Sequence, residues 1–148
     1  MEDINKKIDE VERRIEKHDK TLPSIEVTYD YKDVTEGVPP QFSFFFDVNT
    51  GKLVACKIHV GFETWSRDVA YYFDENEEIE KYLEIVPHSK NGPSAYRSAI
   101  IYGKNGKVLR TNMNGGLRKE TRDPIAAPDT IKALFHALGD AADKFSRY

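Results

Sequence analysis

The chain has 148 residues, 39% of them hydrophobic and 32% charged, with a formal net charge of −3 and one cysteine, Cys56. That size and composition suit a single globular domain spanning 1–148 and exclude a disordered chain. One cysteine excludes an intramolecular disulfide, and no apolar run approaches the roughly 20 residues that cross a bilayer. The N-terminus, Met1-Glu2-Asp3-Ile4-Asn5-Lys6-Lys7, has no signal-peptide core, so the expected location is cytoplasmic.

Residues 2–20 space Ile4, Ile8, Val11, Ile15, His18 and Leu22 by alternating fours and threes. This is one apolar stripe on a charged helix, and Pro23 is expected to end it. The stripe is short for a coiled coil and is expected to dock on a sheet. From Ile25 the period changes to two: Ile25, Val27, Tyr29 and Tyr31 alternate with Glu26, Thr28, Asp30 and Lys32, predicting a strand over 25–32. After a loop over 33–40, strands are expected over 41–48 and 52–61. In the first, Phe42, Phe44, Phe46 and Val48 face inward. In the second, Val54, Cys56, Ile58 and Val60 share one face, and Leu53, Ala55, Lys57 and His59 the other. Further strands are predicted over 65–73, 79–86, 95–102 and 107–112. Trp65, Arg67, Val69, Tyr71 and Phe73 share one side of the first of these. Residues 113–127 lack a period and form a long connection. Pro128 and Asp129 suit the start of a C-terminal helix over 128–146, with Ile131, Leu134, Phe135, Leu138, Ala142 and Phe145 as its stripe.

Three stretches between strands read alike: Phe46-Asp47-Val48-Asn49-Thr50-Gly51-Lys52, Phe73-Asp74-Glu75-Asn76-Glu77-Glu78-Ile79 and Tyr102-Gly103-Lys104-Asn105-Gly106-Lys107-Val108. Asn and Asp bond their own backbone in turns and tolerate left-handed dihedrals, so each stretch is a hairpin. The fold class is therefore α+β. An N-terminal amphipathic helix precedes an antiparallel meander of six or seven curled strands, and a C-terminal helix covers the sheet.

Charge is uneven. Residues 1–86 carry 20 acids and 11 bases, while residues 87–148 carry 5 acids and 11 bases. The acids concentrate at Asp68, Asp74, Glu75, Glu77, Glu78, Glu80 and Glu84, with only Lys81 among them. The bases concentrate at Lys90, Arg97, Lys104, Lys107, Arg110, Arg118, Lys119 and Arg122. The middle hairpin alone sets acid where its two counterparts have Gly51 and Gly106.

Catalytic signatures are missing. No glycine-rich phosphate loop is present, and the Ser residues lack a nucleophile elbow. The stretch from Asp74 has Ile79 and Ile85 where a calcium loop needs Gly and Glu. His18, His59, His88 and His136 form no zinc-type pair, so no metal and no cofactor are expected. His18 and His136 are expected to be packed or interfacial imidazoles, and Cys56 a buried, unactivated thiol.

Three functions remain. The first is a non-enzymatic module that binds another protein's basic surface through Asp68, Asp74, Glu75, Glu77, Glu78, Glu80 and Glu84. Bacterial immunity proteins that neutralise nuclease toxins share this size, charge and secondary structure, an analogy resting on no matched motif. The second is a small-ligand binder or enzyme at the mouth of the curled sheet. There His59 and Glu63 would do acid–base work, Arg67 would hold an anion, and Trp65 would line the site. The third is nucleic-acid binding through residues 90–122, against which the acidic composition and the lack of an aromatic platform weigh.

Overall fold

Turn chemistry and period-two patterning give seven strands bracketed by two helices. In a computed structural model that describes residues 2–28, 38–61, 66–87, 95–103, 107–115 and 128–146, the helices are α1 (Glu2–Glu16) and α2 (Pro128–Ser146). The strands are β1 (Ser24–Thr28), β2 (Val38–Phe46), β3 (Leu53–Gly61), β4 (Ser66–Phe73), β5 (Ile79–Val86), β6 (Tyr96–Tyr102) and β7 (Val108–Gly115). Each strand pairs antiparallel with the next, in the order β1 to β7, and the sheet stays open. The three hairpin tips lie at one end. The strand ends at Thr28 and Val38, Gly61 and Ser66, Val86 and Tyr96, and Gly115 lie at the other.

The likeness of the three hairpins extends to a shared irregularity. Phe46 pairs with Leu53 but Phe45 with Ala55, so Val54 is an extra residue. Glu80 is extra in the same way between Phe73–Ile79 and Tyr72–Lys81, and Leu109 between Tyr102–Val108 and Ile101–Arg110. Each bulge bends its strand and adds twist, and three on one side of the tips account for the partial curl of the sheet. The bulge at Val54 also corrects the facing assigned to Leu53. This residue turns to the side of Phe44 and Cys56 and is fully buried there.

The two faces of the sheet are covered by different helices. On one, Phe44, Cys56, Ile58, Val69, Tyr71 and Tyr82 pack with Ile131 and Phe135 of α2, whose ring lies 5.9 Å from Phe44 and 5.7 Å from Phe46. On the other, Ile8 of α1 sits with Ala55, Ala70 and Tyr72, joined by Ile4 and Val11. Glu12 anchors α1: it accepts a hydrogen bond from the Tyr72 hydroxyl at 2.6 Å and from Lys57 Nζ at 2.7 Å. Burial first, then this carboxylate, raise the Tyr72 phenol. Ile8→Ala is expected to cost about 2 kcal/mol in urea unfolding, and a loss below roughly 0.5 kcal/mol would show that α1 is not seated here.

Some boundaries move. Helix α1 ends at Glu16, well before Pro23, because His18 adopts a left-handed φ of 52°. The His18 N–H bonds Ile15 O and the Asp19 N–H bonds Arg14 O, a Schellman cap that closes the helix. His18 is thus an exposed cap residue and not a packed imidazole. Asp19 then accepts from Thr21 and Arg14, which hold its carboxyl down to about 2. Val48, expected inward, lies in the first tip and is 51% exposed. Strand β7 continues through Gly115, into residues expected to be connection. The expected strand over 25–32 is described only to Thr28.

Candidate functional site

The middle tip is built by Asp74. Its Oδ1 accepts the N–H of Asn76 at 2.8 Å and of Glu78 at 2.9 Å, while the Asp74 and Glu77 N–H groups close the turn on Glu78 O and Asp74 O. Asp47 does the same in the first tip, capping Asn49 at 2.7 Å. Just before the closing residue each turn needs a left-handed residue. Gly51 takes it at φ 71°, but in the middle tip Glu77 does, at φ 59°. A non-glycine residue there is strained. The same conformation aims the Glu77 side chain inward, where Oε2 accepts the Leu53 N–H at 2.8 Å and lies 2.8 Å from His136 Nε2 of α2. Lys52 Nζ donates to Glu75 O at 2.8 Å, tying the first tip to the second.

The acidic cluster therefore divides. Asp74 and Glu77 hold the turn. Glu80 is mostly buried, 3.5 Å from Lys7, and burial raises its carboxyl against the opposing pull of that lysine. Asp68 contacts His59. Glu84 leaves the expected acidic surface altogether, being fully buried against Arg67. Glu75 and Glu78 remain outward; the Glu75 side chain is 80% exposed, and its ion pair to Lys7 is 4.0 Å long.

The residues assigned to the mouth of the sheet are not brought together. His59 pairs across strands with Asp68, while Arg67 pairs with Val60, so His59 and Arg67 point to opposite faces. Glu63 and Trp65 lie outside the described residues. On the α1 side, His59 Nδ1 is 2.6 Å from Asp68 Oδ1, beside a groove of about 470 Å³ lined also by Gln41, Ser43, Lys57 and Leu83. Sequence reasoning put His59 and Asp68 in different candidate sites. Only the β3–β4 register unites them.

On the α2 side a polar cluster sits in the core. Arg67 Nε donates to Glu84, whose Oε1 also accepts from the Tyr82 hydroxyl at 3.4 Å. Tyr82 packs edge-on to Tyr71 with centroids 5.2 Å apart, and burial, then Glu84, raise its phenol. Ser98, paired with Glu84 across β5–β6, is 1% exposed, and its Oγ has no hydrogen-bond partner among the described residues. Since that hydroxyl contributes nothing in place, Ser98→Ala is expected to leave stability unchanged or raise it by up to about 1 kcal/mol; a loss on calorimetry would mean the hydroxyl is bonded.

Burial pushes the Cys56 thiol up to about 12, which leaves no thiolate for chemistry near neutral pH. His136 is half exposed and bonded to Glu77 where α2 meets the middle tip, the interfacial rather than the packed arrangement. Of the basic cluster, Arg97, Lys107 and Arg110 are exposed, while Lys90, Lys104, Arg118, Lys119 and Arg122, like His88, lie outside the described residues. Among the described residues no three His, Cys, Asp or Glu side chains converge as metal ligands, and no helix is long and apolar enough to cross a membrane.

Fold and site together define an α+β domain whose seven-stranded meander lies between two helices and presents a braced acidic tip. No protein-family model, curated protein or solved structure matches the chain.

Proposed function

We propose that the chain is a non-enzymatic protein-binding module that meets a basic surface of another protein through the β4–β5 tip, with neutralisation of a toxin, in the immunity manner, as the specific role. The supporting observation is the division of labour in the tip. Asp74 and Glu77 spend their carboxylates on the turn, and Glu75 and Glu78 are left outward on a braced backbone. Such preorganisation lowers the ordering cost of binding, and exposed like charges speed encounter with an opposite surface. Charge reversal at Glu75 and Glu78 is expected to leave folding within about 0.5 kcal/mol and to remove the partner in quantitative affinity capture from cells that make the chain. An unchanged set of captured proteins would reject the proposal.

A second reading is favoured by the 2.6 Å His59–Asp68 contact, which directs Nδ1 to the carboxylate and leaves Nε2 for a small ligand in the adjoining groove. NMR fragment hits that shift the His59 ring and vanish in His59→Gln would support it. A screen without such hits removes it.

A further inference from the structure

Between α1 and the hairpin tips lies a second groove, of about 760 Å³. Its apolar part is the α1 face of the sheet and the helix above it: Ile8 and Tyr72 are buried there, and half-buried Val11 and Val54 line it. Val54 and Glu80 reach it because both are bulge residues, set one position out of register. The hairpin irregularities thus shape a concavity right beside the outward Glu75.

The charges around it are unequal in availability. Lys7 lies 3.5 Å from Glu80, Lys52 donates to Glu75 O, and Arg14 is held by Asp19 at 3.0 Å and Thr21 at 2.8 Å. Those three cations are each engaged by a neighbouring group and exposed Lys6 is a fourth, against five carboxylates around the groove, among which Glu75 keeps 80% of its side chain in solvent at the rim. An occupant that brings positive charge to that rim and an apolar group to the floor is complementary to both. Interfaces gain most of their affinity from such an anchor seated in a pocket.

We propose that this groove receives an aromatic or aliphatic side chain flanked by basic residues, contributed by the partner that the acidic tip recognises. The inference rests on the tip reading and adds the chemistry of the contact. The area of floor available makes the anchor, rather than the charges, the larger source of affinity.

The test uses two short blocked peptides, Lys-Phe-Arg and Lys-Ser-Arg, titrated to millimolar concentration against the full chain with NMR detection. The phenylalanine peptide is expected to shift the methyl groups of Ile8, Val11 and Val54 and to bind about tenfold more tightly than the serine peptide. Val54→Trp, which fills the groove and leaves the tip intact, should abolish that advantage. Equal affinities with shifts confined to Glu75 and Glu78 amides would overturn the groove while leaving the tip reading in place. Groove methyl shifts that persist in the Glu75→Lys, Glu78→Lys double variant would support the anchor and count against the tip. No shift with either peptide overturns the groove as a docking site.

Discussion

Arg67→Met is expected to lower the melting temperature by roughly 10 °C, the largest effect of any single substitution considered. Glu84 is fully buried on the α2 face, and its carboxylate is met by the Arg67 guanidinium and the Tyr82 hydroxyl. Removing one partner of a buried pair costs about 3–5 kcal/mol. Removing both is different. Arg67→Met combined with Glu84→Leu should recover most of the loss, because an apolar pair of similar volume needs no desolvated charge. A double-mutant cycle by thermal and urea unfolding reads the coupling. If the single substitution costs under about 1 kcal/mol, the pair is solvated and the cluster is not part of the core.

Glu77→Ala is the second large effect, expected at about 2–3 kcal/mol. The substitution leaves the backbone in its left-handed conformation and removes the acceptor of the Leu53 N–H together with the partner of His136. Leu53 itself is fully buried, so its amide has little access to replacement water. Glu77→Gly should cost about 1 kcal/mol less than alanine, since glycine adopts that conformation without strain. Glycine less damaging than alanine is the reverse of the usual order in regular structure. Equal costs would mean that the turn relaxes when the side chain is gone.

Much of the fold was legible. The step from a three-four period at Ile4–Ile15 to a two-residue period at Ile25 separates helix from strand, and the repeated Asp/Gly and Asn positions place all three hairpins. What stayed hidden depends on dihedrals and register, which composition does not carry. Nothing in Lys17-His18-Asp19 marks a left-handed cap, since that motif is usually signalled by glycine. The extra residues Val54, Glu80 and Leu109 need the pairing on both sides to be seen, and with Val54 the facing of Leu53 changes too. The site was legible only as an acidic run. Seven carboxylates look equivalent in sequence, yet Glu84 alternates into the core opposite Ser98 and Glu77 turns inward. Glu75 and Glu78 stay out. One clue to Glu77 was present: its tip lacks the glycine that the other two carry at the same place.

The central claim is that the acidic tip is a prebuilt element braced from inside. Native-state amide exchange, resolved by NMR, tests it most directly. The account predicts that the N–H groups of Leu53, Glu77 and Glu78, held by Glu77 Oε2, Asp74 O and Asp74 Oδ1, exchange at least about 100-fold more slowly than in an unstructured peptide. The Leu53 protection should disappear in Glu77→Ala. Exchange of all three at peptide rates in the wild-type chain would show a mobile tip and contradict the account.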